Sequence, residues 1–187
     1  MIDVRVLEEL LNAEMRVAPL VEAYERDDVT FVDAVKQWLV EVEQKMIASR
    51  FPFAAELAVL RATIIAAERG VVPADVTFGR HATPRKLRST AAFNAVRKGE
   101  ELLRTTIKPI AMQIAEGEQI VQTLLRMAEQ KGLVTADDGN TPADVLAVWQ
   151  RIENDAELKA PAARAVAILG KPNVRILLQR ALALRLA

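Results

Sequence analysis

Carboxylates are among the groups in this chain that could do chemistry, and three pairs stand close in sequence: Glu8-Glu9, Glu100-Glu101 and Glu116 with Glu118. General acid–base catalysis needs two such groups aimed at one reacting atom. Successive helical positions diverge by about 100°, so adjacent Glu residues do not converge, and these pairs read as solvated helix face. His81 is the sole histidine, and there is no cysteine, so a metal site there would have to be completed by carboxylates. A di-iron bundle needs Glu-x-x-His on two helices, and Phe78 stands where that Glu would be. A helical ribonuclease built on an Arg four to six residues ahead of its His fails as well, because positions 74–77 hold Ala, Asp, Val and Thr. No G-x-G occurs, no glycine pair has P-loop spacing, and the two serines, Ser49 and Ser89, lie outside any G-x-S-x-G. The expectation is a protein that is not an enzyme and uses no metal or cofactor. A helical enzyme whose site is invisible in sequence remains as a further alternative.

Positive charge is the other chemical signal. Between 76 and 99 the chain carries Arg80, Arg85, Lys86, Arg88, Arg97 and Lys98 and no acid. The whole chain is neutral, but its charge is sorted: net −6 over 1–75, +6 over 76–99, −6 over 100–157 and +6 over 158–187. Arg85, Lys86 and Arg88 fall in the first turns of a helix, where the dipole already disfavours cations, so an anionic partner is expected to offset them. Nucleic acid, an anionic lipid surface and an acidic protein face all qualify. Zero net charge, two acidic blocks and few interleaved aromatics (Phe78 and Phe93) favour an acidic face, in the same chain or in a second copy.

The element that carries this block organises the chain. Thr83-Pro84 is a good helix start and Gly132 a good stop, which predicts one long helix over 83–131, kinked at Pro109 or broken near Thr106. Its apolar stripe steps by threes and fours and includes Gly99 and Gly117. These lie about five turns apart on one face, so close packing against another backbone is expected there, within the fold or between subunits.

Upstream, a helix over 3–26 should kink or split at Pro19, and Asp27-Asp28 should form the turn that caps a second helix over 29–49. Trp38 and Phe31 on its stripe are expected in the core. A third helix, 51–70, is apolar on nearly all sides from 54 to 67 and is expected to be buried in the middle of the bundle. A loop over 71–82 follows, with a short extended stretch allowed. Downstream, helices are expected from Thr141-Pro142 to about 154, from about 161 to 169, and from Asn173 onward. In the last one, Val174, Leu177, Leu178 and Leu182 are too apolar to lie bare in water, while Arg175, Arg180 and Arg185 rotate around the axis. Docking in a groove of the same chain answers this, a groove of a neighbouring subunit or partner comes next, and attachment to an anionic membrane is weaker for want of a clean amphipathic face.

The fold expected is therefore all-α, a bundle of six to seven helices around one long central helix. Its parts are 1–72, 73–132 and 133–187, together making one compact domain. Half of the residues are hydrophobic, few are aromatic, and no run is long enough to span a bilayer. With no secretory signal at Met1-Ile2-Asp3, a cytoplasmic location is expected. The expected function is non-enzymatic assembly or adaptor work through protein–protein contacts, as a homo-oligomer. The alternative is a nucleic-acid-binding regulator using Arg80–Lys98.

Overall fold

A computed structural model describes residues 3–71, 83–135, 138 and 141–186. Arg80, His81 and all of the expected 71–82 loop except Val71 lie outside the described residues. Among those described there are helices and no strands. In chain order they are α1 (Val4–Met15), α2 (Val17–Glu25), α3 (Phe31–Ala48), α4 (Ala54–Glu68), α5 (Pro84–Gln130), α6 (Pro142–Asn154), α7 (Lys159–Leu169) and α8 (Lys171–Leu186). The break between α1 and α2 falls at Arg16, three residues before Pro19, whose missing N–H leaves the Met15 carbonyl without its helical donor. Counting α1 and α2 as one interrupted helix gives seven.

The all-α bundle with one long helix is what the structure shows. Pro109 does not end α5, which runs 47 residues through it. Just ahead of the proline, the Thr105 and Thr106 hydroxyls donate to the carbonyls of Glu101 and Leu102, both at 2.8 Å. The Thr83 hydroxyl accepts from the Lys86 amide at 3.3 Å, the cap expected of it.

The chain divides into two compact units, and the boundary falls inside α5 at Pro109. The N-terminal unit, 5–108, packs α1 to α4 with the first half of α5. Trp38 is its keystone, fully buried. Its indole N–H donates to the Ala13 carbonyl at 2.9 Å, in the last turn of α1, where helical carbonyls run out of partners. Phe31 packs on Tyr24, which stacks on Phe93 at a ring-centroid distance of 4.3 Å. Asp28 closes the turn before α3 by accepting from the Thr30 amide and hydroxyl, both at 2.8 Å.

One expectation is corrected here. Of α4 only Leu57, Ile64 and Ala67 are buried, so it is not the central helix of its unit. It lies at the edge, laid on α3, and its Lys36–Glu68 and Arg61–Glu43 pairs tie those two helices together at 2.7 and 3.1 Å. Apolar residues on all sides show that a helix can be covered, not that the chain has a neighbour to cover it.

The second unit comprises 1–4 and 109–187. Here α8 packs on α6 and α7, with Trp149, Ile152, Leu158, Leu169, Leu178 and Leu182 buried together. The Thr141–Asp144 capping box starts α6. Asn173, 3% exposed, accepts from the Val4 amide at 2.9 Å and donates to the Leu169 carbonyl at 2.7 Å. One buried amide thus satisfies the first N–H of α1 and a last-turn carbonyl of α7.

Candidate functional site

Of the cations singled out in the sequence, the described ones, Arg85, Lys86, Arg88, Arg97 and Lys98, are exposed but do not form one stripe. At about 100° per residue, Lys86 and Arg97 share a side of α5, Arg85 and Arg88 another, and Lys98 a third. Arg85 stands between two hollows. One, about 210 Å³, is lined by Asp28, Asp33 and Glu68 together with Arg85 and Arg88. The other, about 400 Å³, is lined by Asp27, Thr83, Arg85 and Lys86 with Tyr24. Arg85 donates to the Asp27 carbonyl at 2.6 Å, in a turn where Asp27 takes a left-handed φ of 51°. Asp33 and Glu68 both bind the Lys36 ammonium and raise its pKa, Asp33 more strongly. The Thr30 amide, then its hydroxyl, lowers the pKa of Asp28. The start of α5 therefore faces acids of the 1–75 block within its own unit.

Further along α5, Arg97 and Lys98 share a hollow of about 570 Å³ with Glu100, Glu101 and Arg104. Arg104 bridges Glu14 at 2.9 Å and Glu100 at 2.7 Å, and the two carboxylates, Glu14 first, raise its pKa. The basic block is thus two separate cation groups, each interleaved with acids.

Gly99 and Gly117 are points of close helix packing, but what approaches them is a side chain, not the backbone expected. A Cβ on Gly99 would stand 2.9 Å from the Trp38 ring, and one on Gly117 2.3 Å from Leu169 Cγ. Each contact is made inside the glycine's own unit.

For α8 the structure shows docking within the same chain and not in a subunit groove. Val174, Leu177, Leu178 and Leu182 are buried by the chain's own unit, so the groove they fill is already theirs. Arg185 pairs with Glu129 at 3.0 Å, and Arg164 of α7 with Glu116 at 3.2 Å, so part of the last basic block meets the 100–157 acids at home. Arg175 and Arg180 are exposed.

The surfaces left open lie elsewhere. On the outer side of α4, Ala55, Val59 and Ala62 are exposed, Val59 to 64%, and Ala58, Ile65 and Ala66 are half-buried. Their spacing of three and four puts them on one face. Beside it, a groove of about 580 Å³ between α4 and α5 is floored by Val59, Leu60 and Leu102 and edged by Glu56, Lys98 and Glu101. A wider groove of about 870 Å³ is lined by Leu11, Met15, Val17, Ala18 and Val21, with Glu8, Glu14, Glu22, Glu100 and Arg104 at its rim. The α4 face was missed in the sequence, although a signal existed. Leu57 and Ile64 lie on one side of the helix, and four alanines with Val59 and Ile65 make up the other. Among the described residues, no three His, Cys, Asp or Glu side chains are placed to hold one metal ion, and no helix is long and apolar enough to cross a membrane. Comparison with protein-family models, with curated proteins and with solved structures finds no match to this chain.

Proposed function

We propose that this is a non-enzymatic assembly or adaptor protein that acts through protein–protein contacts between helical surfaces, and that it does so as a homo-oligomer. One observation carries the reading: α4 is apolar nearly all round, yet only Leu57, Ile64 and Ala67 are buried, and Val59 stands 64% exposed. A contiguous apolar face left in water favours association. The neighbouring grooves are open and shallow, which suits contact with a helix more than enclosure of a small substrate. The test is native mass by light scattering across a concentration series, at low and high salt. A discrete oligomer that becomes monomeric in Val59→Glu supports the reading, and a monomer at every concentration counts against self-assembly.

A second reading rests on the exposure of Arg85, Lys86, Arg88, Arg97 and Lys98. It makes the protein a nucleic-acid-binding regulator, with affinity that falls steeply with salt. The acids Asp27, Asp28, Asp33 and Glu68 in the same hollows weaken it. The absorbance ratio at 260 and 280 nm, read in the same scattering run, separates the two. Nucleic acid co-purifying until salt strips it, and lost in Arg85→Ala/Lys86→Ala/Arg88→Ala, would favour the regulator.

A further inference from the structure

We infer that α5 is a hinge at Pro109, about which the 5–108 unit and the 109–187 unit rotate, each moving as one piece. The inference is independent of the assembly reading, because it concerns motion within one chain, whether or not copies associate.

The places where the chain passes between the units carry it. Val4 belongs with 109–187 and Arg5 with the other unit, so the backbone crosses twice, between Val4 and Arg5 and between Lys108 and Pro109. Both crossings fall where a helix lacks ladder bonds. Val4 and Arg5 lie in the first turn of α1, whose N–H groups have no earlier turn to bond. The Val4 amide is held instead by Asn173, a residue of the C-terminal unit, at 2.9 Å. Pro109 has no N–H, so the Thr105 carbonyl loses its helical donor. Two such crossings act as the two pins of one hinge, and they restrict the motion to rotation about the line that joins them.

Each half of α5 is gripped by its own unit. Ahead of the proline, Gly99 has no room for a Cβ against Trp38, and beyond it Gly117 has none against Leu169. Trp38 belongs to 5–108 and Leu169 to 109–187, so the halves are locked on either side and the bend is left to the stretch between. That stretch is chemically prepared for it. The Thr105 and Thr106 hydroxyls donate to the carbonyls of Glu101 and Leu102, both at 2.8 Å, and bonding back to the preceding turn in this way bends helices. Thr105, Lys108 and Pro109 are exposed, so water can take the Thr105 carbonyl as the turn opens, and the bend strands no polar group in a dry interior.

The test measures distances between spin labels on introduced thiols, one pair at a time, since the chain has no cysteine of its own. Full-length labelled chain is diluted with excess unlabelled chain, so that only distances within one molecule are read. The crossing pair is Ile47→Cys/Gln179→Cys, one exposed position in each unit. The controls are Ile47→Cys/Arg97→Cys within 5–108 and Met127→Cys/Gln179→Cys within 109–187, again at exposed positions. They report the freedom of the labels themselves and whether each half of α5 moves with its own unit. The expected distance distribution for the crossing pair is at least about twice as wide as either control, and it narrows to their width when Pro109→Ala restores the missing N–H. A crossing pair no wider than the controls would mean that the units do not rotate. One that is wide but unchanged by Pro109→Ala would mean that the rotation is not seated in α5. Either result overturns the inference and leaves the assembly reading as it was.

Discussion

Gly117→Ala should destabilise this protein, against the ordinary rule for a helix interior. On propensity alone the change would help by about 1 kcal/mol, because alanine is the best helix former and glycine among the worst. The surroundings decide otherwise. A Cβ at 117 would lie 2.3, 2.4 and 2.5 Å from Cγ, Cδ2 and Cδ1 of Leu169, where unstrained carbons stay about 3.5–4.0 Å apart. Leu169 has little room to yield. It is the last residue of α7, it is 2% exposed, and its carbonyl is held by Asn173 at 2.7 Å. Overpacking of this kind costs about 1–3 kcal/mol, and an overlap at the root of the side chain belongs at the upper end. The net expectation is a loss of about 1–2 kcal/mol, read as a lower urea midpoint at unchanged slope. The sharper check is a double-mutant cycle. Leu169→Ala removes all three clashing atoms, so in that background Gly117→Ala should turn stabilising by up to about 1 kcal/mol, a coupling of about 2–3 kcal/mol. If the alanine stabilises in both backgrounds, the close approach is not there. Gly99→Ala should cost less, since its nearest contacts are the rim of the Trp38 ring at 2.9 Å.

Asn173→Leu keeps the size of the side chain but strands the Val4 amide and the Leu169 carbonyl; at about 1–3 kcal/mol for each unsatisfied buried group, it should lower stability by about 2–5 kcal/mol in denaturant titration. Acid should unfold the 109–187 unit from a definite side. Lys131 lowers the pKa of Asp155, and although burial pushes Asp138 up, the Thr135 amide and Arg151 together hold it below its usual 3.8. Carboxylates depressed in the folded state add stability above their unfolded pKa and lose it as pH falls through the folded value. The melting temperature should therefore be insensitive to these groups from neutrality down to about pH 5 and fall below about pH 4, with the fall reduced in Asp138→Asn and Asp155→Asn.

Local signals in the sequence translated well into local structure. Thr83 and Thr141 cap the helices they precede, and Gly132 ends α5 with a left-handed φ of 69°. Trp38 and Phe31 are buried, and Pro19 splits the first helix. Each rests on a preference acting within a few residues of chain. The unreadable features depend on which elements meet. Nothing near Asn173 in sequence says that its amide will find Val4, 169 residues away. The basic block looked continuous because the sequence is linear; on a helix its members turn to different sides, and acids distant in sequence share the hollows around Arg85.

The two apolar helices carry the functional consequence of that limit. From hydropathy α4 belonged in the centre, and α8 needed a groove in the same chain or in a neighbouring subunit; in the structure α4 lies at the edge of its unit and α8 is buried within its own. Both have nearly featureless apolar surfaces, so neither pattern says where the cover comes from. What separates them is the size of the residues on each side. In α8 the buried side is made of Val174, Leu177, Leu178 and Leu182, whose bulk lets α6 and α7 bury much apolar area per residue. In α4 the buried bulk is Leu57 and Ile64, on the side α3 covers, and the outer side is mostly alanine with Val59 and Ile65. Alanine in water costs little, so a monomer tolerates that face uncovered while it folds. Against another close-packed helix the same alanines allow backbone approach and dense contact. A face cheap to expose and good to pack fits a surface that is covered after folding, by a second molecule, and it moves the expected partner contact from the C-terminal helix to α4.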